Sequence, residues 1–153
     1  MRILTTRIPP LLLTGILTIL MWLLSTVTST VSMPETIRLI GVSIPLAAGT
    51  LFCLGGVMAF RVAKTTVDPR TPEKASALVI SGVYRYSRNP MYVAFALFLL
   101  AWAIYLASPW SLAGVAGFVL FMDRLQIPAE EQALESLFGE DFRRYQGKVR
   151  RWL

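Results

Sequence analysis

Apolar and polar positions fall into long blocks along this chain rather than into short periods. Four apolar segments stand out, at about residues 8–28, 37–60, 91–107 and 110–127. A membrane-spanning helix needs about 20 predominantly apolar residues. The first two segments meet that length easily. The last two are shorter and read as a tight hairpin through Ser108-Pro109. From Pro109 to Asp123 the run is too short to cross a core of roughly 30 Å at about 1.5 Å per residue. Asp123 and Arg124 are therefore expected at or inside the membrane boundary, where ionisable groups face a cavity or each other.

Proline and glycine punctuate this pattern. Pro9-Pro10, Pro34, Pro90, Pro109 and Pro128 each precede an apolar or helical run, and proline suits the first helical position, where its missing N–H has no intrahelical partner. Asn89 and Ser108 precede two of these prolines and are predicted N-caps. Pro45 lies inside the second segment and predicts a kink. Gly41, Gly49, Gly55 and Gly56 in that segment permit close approach of another helix. After Pro128, Leu134, Leu137 and Phe138 mark one apolar face, and Gly139 is expected to stop or bend the helix. Phe142, Tyr145 and Val149 then oppose Arg143, Arg144, Lys148 and Arg150, which predicts an amphipathic basic segment on the membrane surface. The polar loop Arg61–Ser87 carries an apolar anchor, Leu78-Val79-Ile80, which favours an ordered lid.

Composition agrees with a membrane protein. Hydrophobic residues make up 55% of the 153 positions and mean hydropathy is +0.59, more apolar than the usual soluble domain. The net charge of +6 is unevenly placed. With four crossings every lysine and arginine except Arg38 falls on one side, and the positive-inside rule puts both termini and the long loop in the cytoplasm. Arg2 and Arg7 before the first apolar run also fit a signal peptide, but the length of the run and the balance of loop charges favour a retained helix. The expected fold is thus an all-α integral membrane protein, one domain over residues 1–153, with four transmembrane helices, a cytoplasmic loop and a C-terminal amphipathic helix. Attraction of juxtamembrane cations to anionic lipid explains the basic balance without nucleic acid.

The single Cys53 allows no internal disulfide. The chain has no histidine, which removes histidine-based triads, the usual zinc sites and the commonest general base; no metal set is expected. No Gly-x-Gly-x-x-Gly follows a strand pattern, so a soluble dinucleotide fold is unsupported. Chemistry is instead expected where two polar clusters, Tyr84–Tyr92 and Arg124–Glu131, are brought together by the hairpin. One wall would carry tyrosines, arginines and an amide, the other two carboxylates.

The pattern Ser81-Gly82-Val83-Tyr84, then Arg88-Asn89-Pro90-Met91-Tyr92, then Glu130-Glu131, Phe138-Gly139, Tyr145 and Val149 resembles the isoprenylcysteine carboxyl methyltransferase family. The related phospholipid N-methyltransferases share much of it. The resemblance covers roughly residues 60–150 and implies an integral membrane enzyme using S-adenosyl-L-methionine. It implies that Leu78, Val79 and Tyr84 line the cofactor pocket, that Asn89, Pro90, Met91 and Tyr92 hold the amino-acid end of the cofactor, and that Glu130 and Glu131 accept its hydrogen bonds. Arg88, Arg124 and Tyr92 are the candidate catalytic residues, with an arginine positioning the polar head of a lipophilic or lipid substrate. Three departures stand out. The family places an arginine shortly before the Glu pair; here Arg124 is the nearest, with Pro128 intervening. Asn89 occupies the family's usual histidine position and cannot titrate, which fits binding rather than acid-base work. Val149-Arg150-Arg151 replaces a more usual Val-Pro. The alternative from another class is a non-catalytic membrane scaffold or lipid-binding subunit. The pattern fixes neither the acceptor nor an oligomeric state.

Overall fold

A computed structural model describes residues 8–63 and 77–153. Five helices account for most of them: α1 (Pro10–Val27), α2 (Glu35–Val62), α3 (Pro90–Tyr105), α4 (Leu112–Phe121) and α5 (Ile127–Gln146). The described residues contain no strand. Three helical stretches are long and apolar enough to cross a membrane: α1, α2 and the continuous run Pro109–Gln146. The fourth, α3, is apolar but only 16 residues long.

The short helix is the hub. α3 packs against α1, α2 and α4, and Tyr92, Val93, Ala94, Leu99, Ala101 and Ala103 are buried along it. It is apolar on every side, as expected of a helix enclosed by others. The outer helices instead turn large apolar side chains outward, such as Leu11 at 70% and Leu51 at 71% exposure. In a chain of this hydropathy those faces meet lipid. The core joins Met21 of α1, Tyr92, Leu99 and Ala103 of α3, and Phe118, Met122 and Ile127 along the last rod.

Glycine sets the closest helix pair. Gly41, Gly49 and Gly56 lie about two turns apart on α2 and face Ile104, Phe98 and Met91 of α3. A Cβ at Gly49 would sit 2.7 Å from Phe98 Cε1 and 3.2 Å from the Ala94 carbonyl. α2 continues as helix through Pro45, which is buried.

At the far end the hairpin of α3 and α4 is stitched to the α1–α2 connection. The Val31 N–H donates to the Ala107 carbonyl at 2.7 Å, and the Thr28 and Ser108 hydroxyls meet at 3.2 Å. Ser108 thus spends its side chain between segments, not on the cap predicted for it. Arg38 stacks over the Tyr105 ring at this same end. The other basic residues of the described chain lie at the opposite end, with the starts of α1 and α3 and the end of α2.

The last rod departs from the expected break at Pro128. A wide π turn, Met122–Gln126, links α4 to α5 and the helix runs on. Pro128 cannot donate to the carbonyl one turn back, and its ring crowds that carbonyl. The wide turn just ahead changes the hydrogen-bond register, which relieves both problems. The helix then kinks at Gly139, at φ 49° and ψ −119°, so the expected bend is present without a stop. Phe142 and Tyr145 are buried beyond it, while Arg143, Arg144 and Lys148 stay exposed.

Two stability measurements follow from this packing. Gly49→Leu should lower the stability of the detergent-solubilised protein by about 1–3 kcal/mol through overpacking. Gly117→Leu, where a Cβ meets nothing within 4 Å, should leave the melting temperature nearly unchanged. Gly139→Ala should cost about 1–3 kcal/mol, because an alanine is strained in that backbone conformation; chemical denaturation reads both.

Candidate active site

The first wall is built by the segment that leads into α3. Gly82, at φ 61°, starts a 3₁₀ turn over Gly82–Arg85 that buries Tyr84. The Tyr84 ring stands edge-on to Phe60 at 5.5 Å, and its carbonyl accepts the Tyr145 hydroxyl at 2.7 Å. Burial pushes the Tyr84 hydroxyl well above its ordinary range, with further pushes from Tyr145 and Glu130. Ser87 is fully buried; its Oγ accepts the Asn89 N–H at 3.1 Å and donates to the Arg151 carbonyl at 3.1 Å. Asn89 Nδ2 donates to that same carbonyl at 3.0 Å. Asn89 therefore holds the position before α3 through its backbone, whose carbonyl accepts the Tyr92 and Val93 N–H groups. Its side chain does not cap the helix; it is turned to the C-terminal tail.

The second wall is the start of α5. Glu131 stands between two guanidinium groups. Arg88 Nη2 reaches its Oε1 at 2.6 Å, and Arg151 Nη2 reaches its Oε2 at 2.6 Å. Arg151 also donates from Nε to Glu131 Oε1 at 3.1 Å and from Nη1 to Asp123 Oδ1 at 3.3 Å. The hydrogen bond to Glu131 is the main reason the Arg151 pKa is raised. Glu130 Oε1 accepts the Tyr92 hydroxyl at 2.5 Å and Gln126 Nε2 at 2.8 Å. The wide turn thus delivers Asp123 and Gln126 to the same place as the Glu pair.

The tail closes the arrangement. The Arg88 N–H donates to the Arg150 carbonyl at 2.9 Å, Arg88 Nη1 to the Gln146 carbonyl at 3.1 Å, and Trp152 Nε1 to Asp123 Oδ1 at 3.4 Å. Arg88 keeps one donor without a partner, its buried Nε. Among the described residues the centre gathers three carboxyl groups (Glu130, Glu131, Asp123) and two guanidinium groups (Arg88, Arg151) at the boundary of an apolar bundle.

The structure brings together Arg88, Asn89, Tyr92, Glu130 and Glu131, as the hairpin argument expected. It separates the others. Pro90 is buried at the start of α3, and Met91 turns to Gly56 on α2. Val79 packs with Ala59 and Tyr84. Leu78 lines a different feature, an open cleft of about 580 Å³ beside Arg85, Tyr145 and Lys148. Arg124 is exposed and joins none of the ion pairs among the described residues; the wide turn gives Asp123, not Arg124, to the centre. Sequence reasoning missed Arg151, Trp152, Ser87 and Gln126. The tail read as part of a basic membrane-facing segment, and Trp152, a residue type favoured at membrane interfaces, gave no signal against that. The loop positions Lys64, Arg70 and Lys74, together with Arg2 and Arg7, lie outside the described residues.

Comparison with known proteins places the chain in a family. The family model described as phospholipid methyltransferase matches residues 37–141, from the start of α2 to the kink region of α5. An uncharacterized protein of Haemophilus influenzae (strain Rd) is 48% identical over 63 residues, 41% of this chain and the whole of that one. No solved structure matches. The resemblance of residues 60–150 to isoprenylcysteine carboxyl methyltransferases is thereby placed one level up, in the integral-membrane methyltransferase superfamily that the two families share. With the match spanning more than half of the chain, including α3, α4 and all three carboxylates of the centre, the chain belongs to the phospholipid methyltransferase family of membrane proteins.

Proposed function

We propose that this protein transfers a methyl group from S-adenosyl-L-methionine to a lipophilic acceptor at the cytoplasmic face of a membrane. The observation that carries the reading is the meeting of Glu130 and Glu131 with Asn89, Tyr92 and Arg88 at the entrance of α3. Family membership supports methyl transfer in general. The cytoplasmic face is supported by charge: at the end bearing the centre the described chain carries Arg61, Arg85, Arg144, Lys148 and Arg150, and at the other only Arg38, as the positive-inside rule requires.

The donor set fits the cofactor. The amino-acid end of S-adenosyl-L-methionine carries a carboxylate and an ammonium, and its sulfonium adds a second positive charge. The unpartnered Arg88 Nε suits the carboxylate. Glu130 and Glu131 suit the cationic groups, and Asn89 supplies a neutral donor. When bound, the cofactor would supply the electrophilic methyl group. The residues of the chain supply alignment and exclusion of water, with the tail around Arg151 and Trp152 covering the centre. Tyr92 orients Glu130 through its hydroxyl. No histidine is available as a base, so proton removal from an amine or thiol acceptor falls to Glu, Asp, Tyr or water. A carboxylate acceptor needs none.

The isoprenylcysteine carboxyl methyltransferase resemblance leaves a carboxylate acceptor in view beside the amine of a lipid headgroup. The two differ in pH profile. The rate for a carboxylate acceptor is flat across neutral pH, and that for an amine or thiol rises with pH.

Calorimetry on the purified protein in detergent is the first test. Glu131→Ala should weaken cofactor binding by roughly tenfold or more, the scale of a charge-assisted hydrogen bond. Tyr92→Phe, which keeps the ring and removes the bond to Glu130, should weaken it by less. Wild-type affinity in both variants would sink the site assignment. Saturating S-adenosyl-L-methionine should also raise the melting temperature of the wild-type protein; no shift would favour a non-catalytic scaffold. Incubation with labelled cofactor and a total lipid extract should then yield a labelled lipophilic product.

A further inference from the structure

The cleft lined by Leu78 has its own chemistry. Its volume is about 580 Å³, and Arg85, Arg144 and Lys148 edge it with Asp141 as the one acid. Three cations against one carboxylate leave an excess of positive charge. Arg85, Arg144 and Lys148 are exposed, and none of them has an ion-pair partner among the described residues. By contrast Arg143, their neighbour on α5, is paired with Glu135 and Glu140. The rest of the lining is apolar or aromatic: Leu78, Ile80, Val149 and Tyr145.

The cleft shares no lining residue with the ion-pair centre. Tyr145 lines the cleft and donates its hydroxyl to the Tyr84 carbonyl, not to any group of the centre. The two features also differ in how their charges are matched. In the centre Arg88 and Arg151 face carboxylates. The cleft has a base excess, so a cofactor with a net positive charge gains nothing there. It lies at the end of the bundle where α3 begins and α5 ends, the level at which headgroups sit beside a membrane protein.

We propose that this cleft is an accessory binding site for the headgroup of an anionic phospholipid. The phosphate is held by Arg85, Arg144 and Lys148, and the first atoms of the glycerol and acyl region lie on Leu78, Ile80 and Val149. The site is distinct from the methyl-acceptor site and does not depend on the cofactor reading. Lipid there would fix the segment before α3 against the end of α5, the two walls that also hold Tyr84 and Tyr145.

Native mass spectrometry of the purified protein in mixed micelles tests it by lipid retention, a readout independent of methyl transfer. Phosphatidylglycerol should be retained on the order of tenfold more strongly than phosphatidylcholine, given the attraction expected per cation. The triple variant Arg85→Gln, Arg144→Gln, Lys148→Gln should lose that preference. A control with the same charge change outside the cleft, Arg61→Gln, Arg143→Gln, Arg150→Gln, should keep it. An unchanged melting temperature in both variants shows that the fold is intact. Equal losses in the two variants would reduce the effect to general surface charge and overturn the proposal. Competition by glycerol 3-phosphate at the same concentration as the lipid would make the ligand a free phosphate ester and overturn the lipid assignment. A fall in S-adenosyl-L-methionine affinity in the cleft variant alone would assign the cleft to the cofactor instead.

Discussion

Glu131 is the point through which the arrangement at the membrane boundary is held. Its carboxylate joins Arg88, at the entrance of α3, to Arg151, in the C-terminal tail, and it projects from α5. Three segments far apart in sequence therefore meet at one side chain, itself only 14% exposed. Removing one partner of a buried pair typically costs about 3–5 kcal/mol. Yet an apolar replacement of similar volume is often as stable, so cohesion alone does not explain two arginines and three acids gathered beside an apolar bundle. The centre is better understood as a polar site that the fold keeps assembled. The tail contributes by exhausting its own carbonyls on Ser87, Arg88 and Asn89.

That centre depends on the helix packing beneath it. α3 is too short to reach far beyond the bilayer, and its entrance is drawn close to α2 by the glycine stripe at Gly41, Gly49 and Gly56. The close approach seats Pro90 and Met91 against Gly56 and leaves Tyr92 facing the last rod. From that rod the wide turn sets Gln126 and Glu130 to meet the Tyr92 hydroxyl. Without the altered register, Pro128 would end or sharply bend the helix one turn before the Glu pair. The same irregularity therefore solves a backbone problem and presents Asp123, Gln126, Glu130 and Glu131 to one site.

Much of this was legible in the sequence because it rests on hydrophobic blocks and chain connectivity. The apolar runs located the helices to within a few residues, and a short link at Ser108-Pro109 forced the entrance of α3 beside the end of α4. The meeting of Arg88 and Tyr92 with the Glu pair follows from that alone. Three features were not legible, each for a physical reason. A π turn has no residue signature that separates it from an ordinary helix start, so Pro128 looked like a boundary and Arg124 looked as available as Asp123. Asn89 and Ser108 have strong capping propensity, but both side chains found tertiary partners, and local propensity carries no information about those. Arg151 lies in a run of cations whose average behaviour is to face lipid headgroups, and only its return to Glu131 in three dimensions distinguishes it from Arg150.

The two arginine-bearing regions of the same surface divide by their counter-charges. Arg88 is paired with Glu131, and Arg151 with Glu131 and Asp123, so both act as internal parts of the centre. Arg85, Arg144 and Lys148 have one acid, Asp141, among them and keep their charge available. A single net charge of +6 thus conceals a centre whose arginines are matched by carboxylates and a cleft whose cations are not. Separation of that kind would let a cofactor at the centre and the proposed anionic headgroup in the cleft approach one small face of the protein without competing, because they meet different residues.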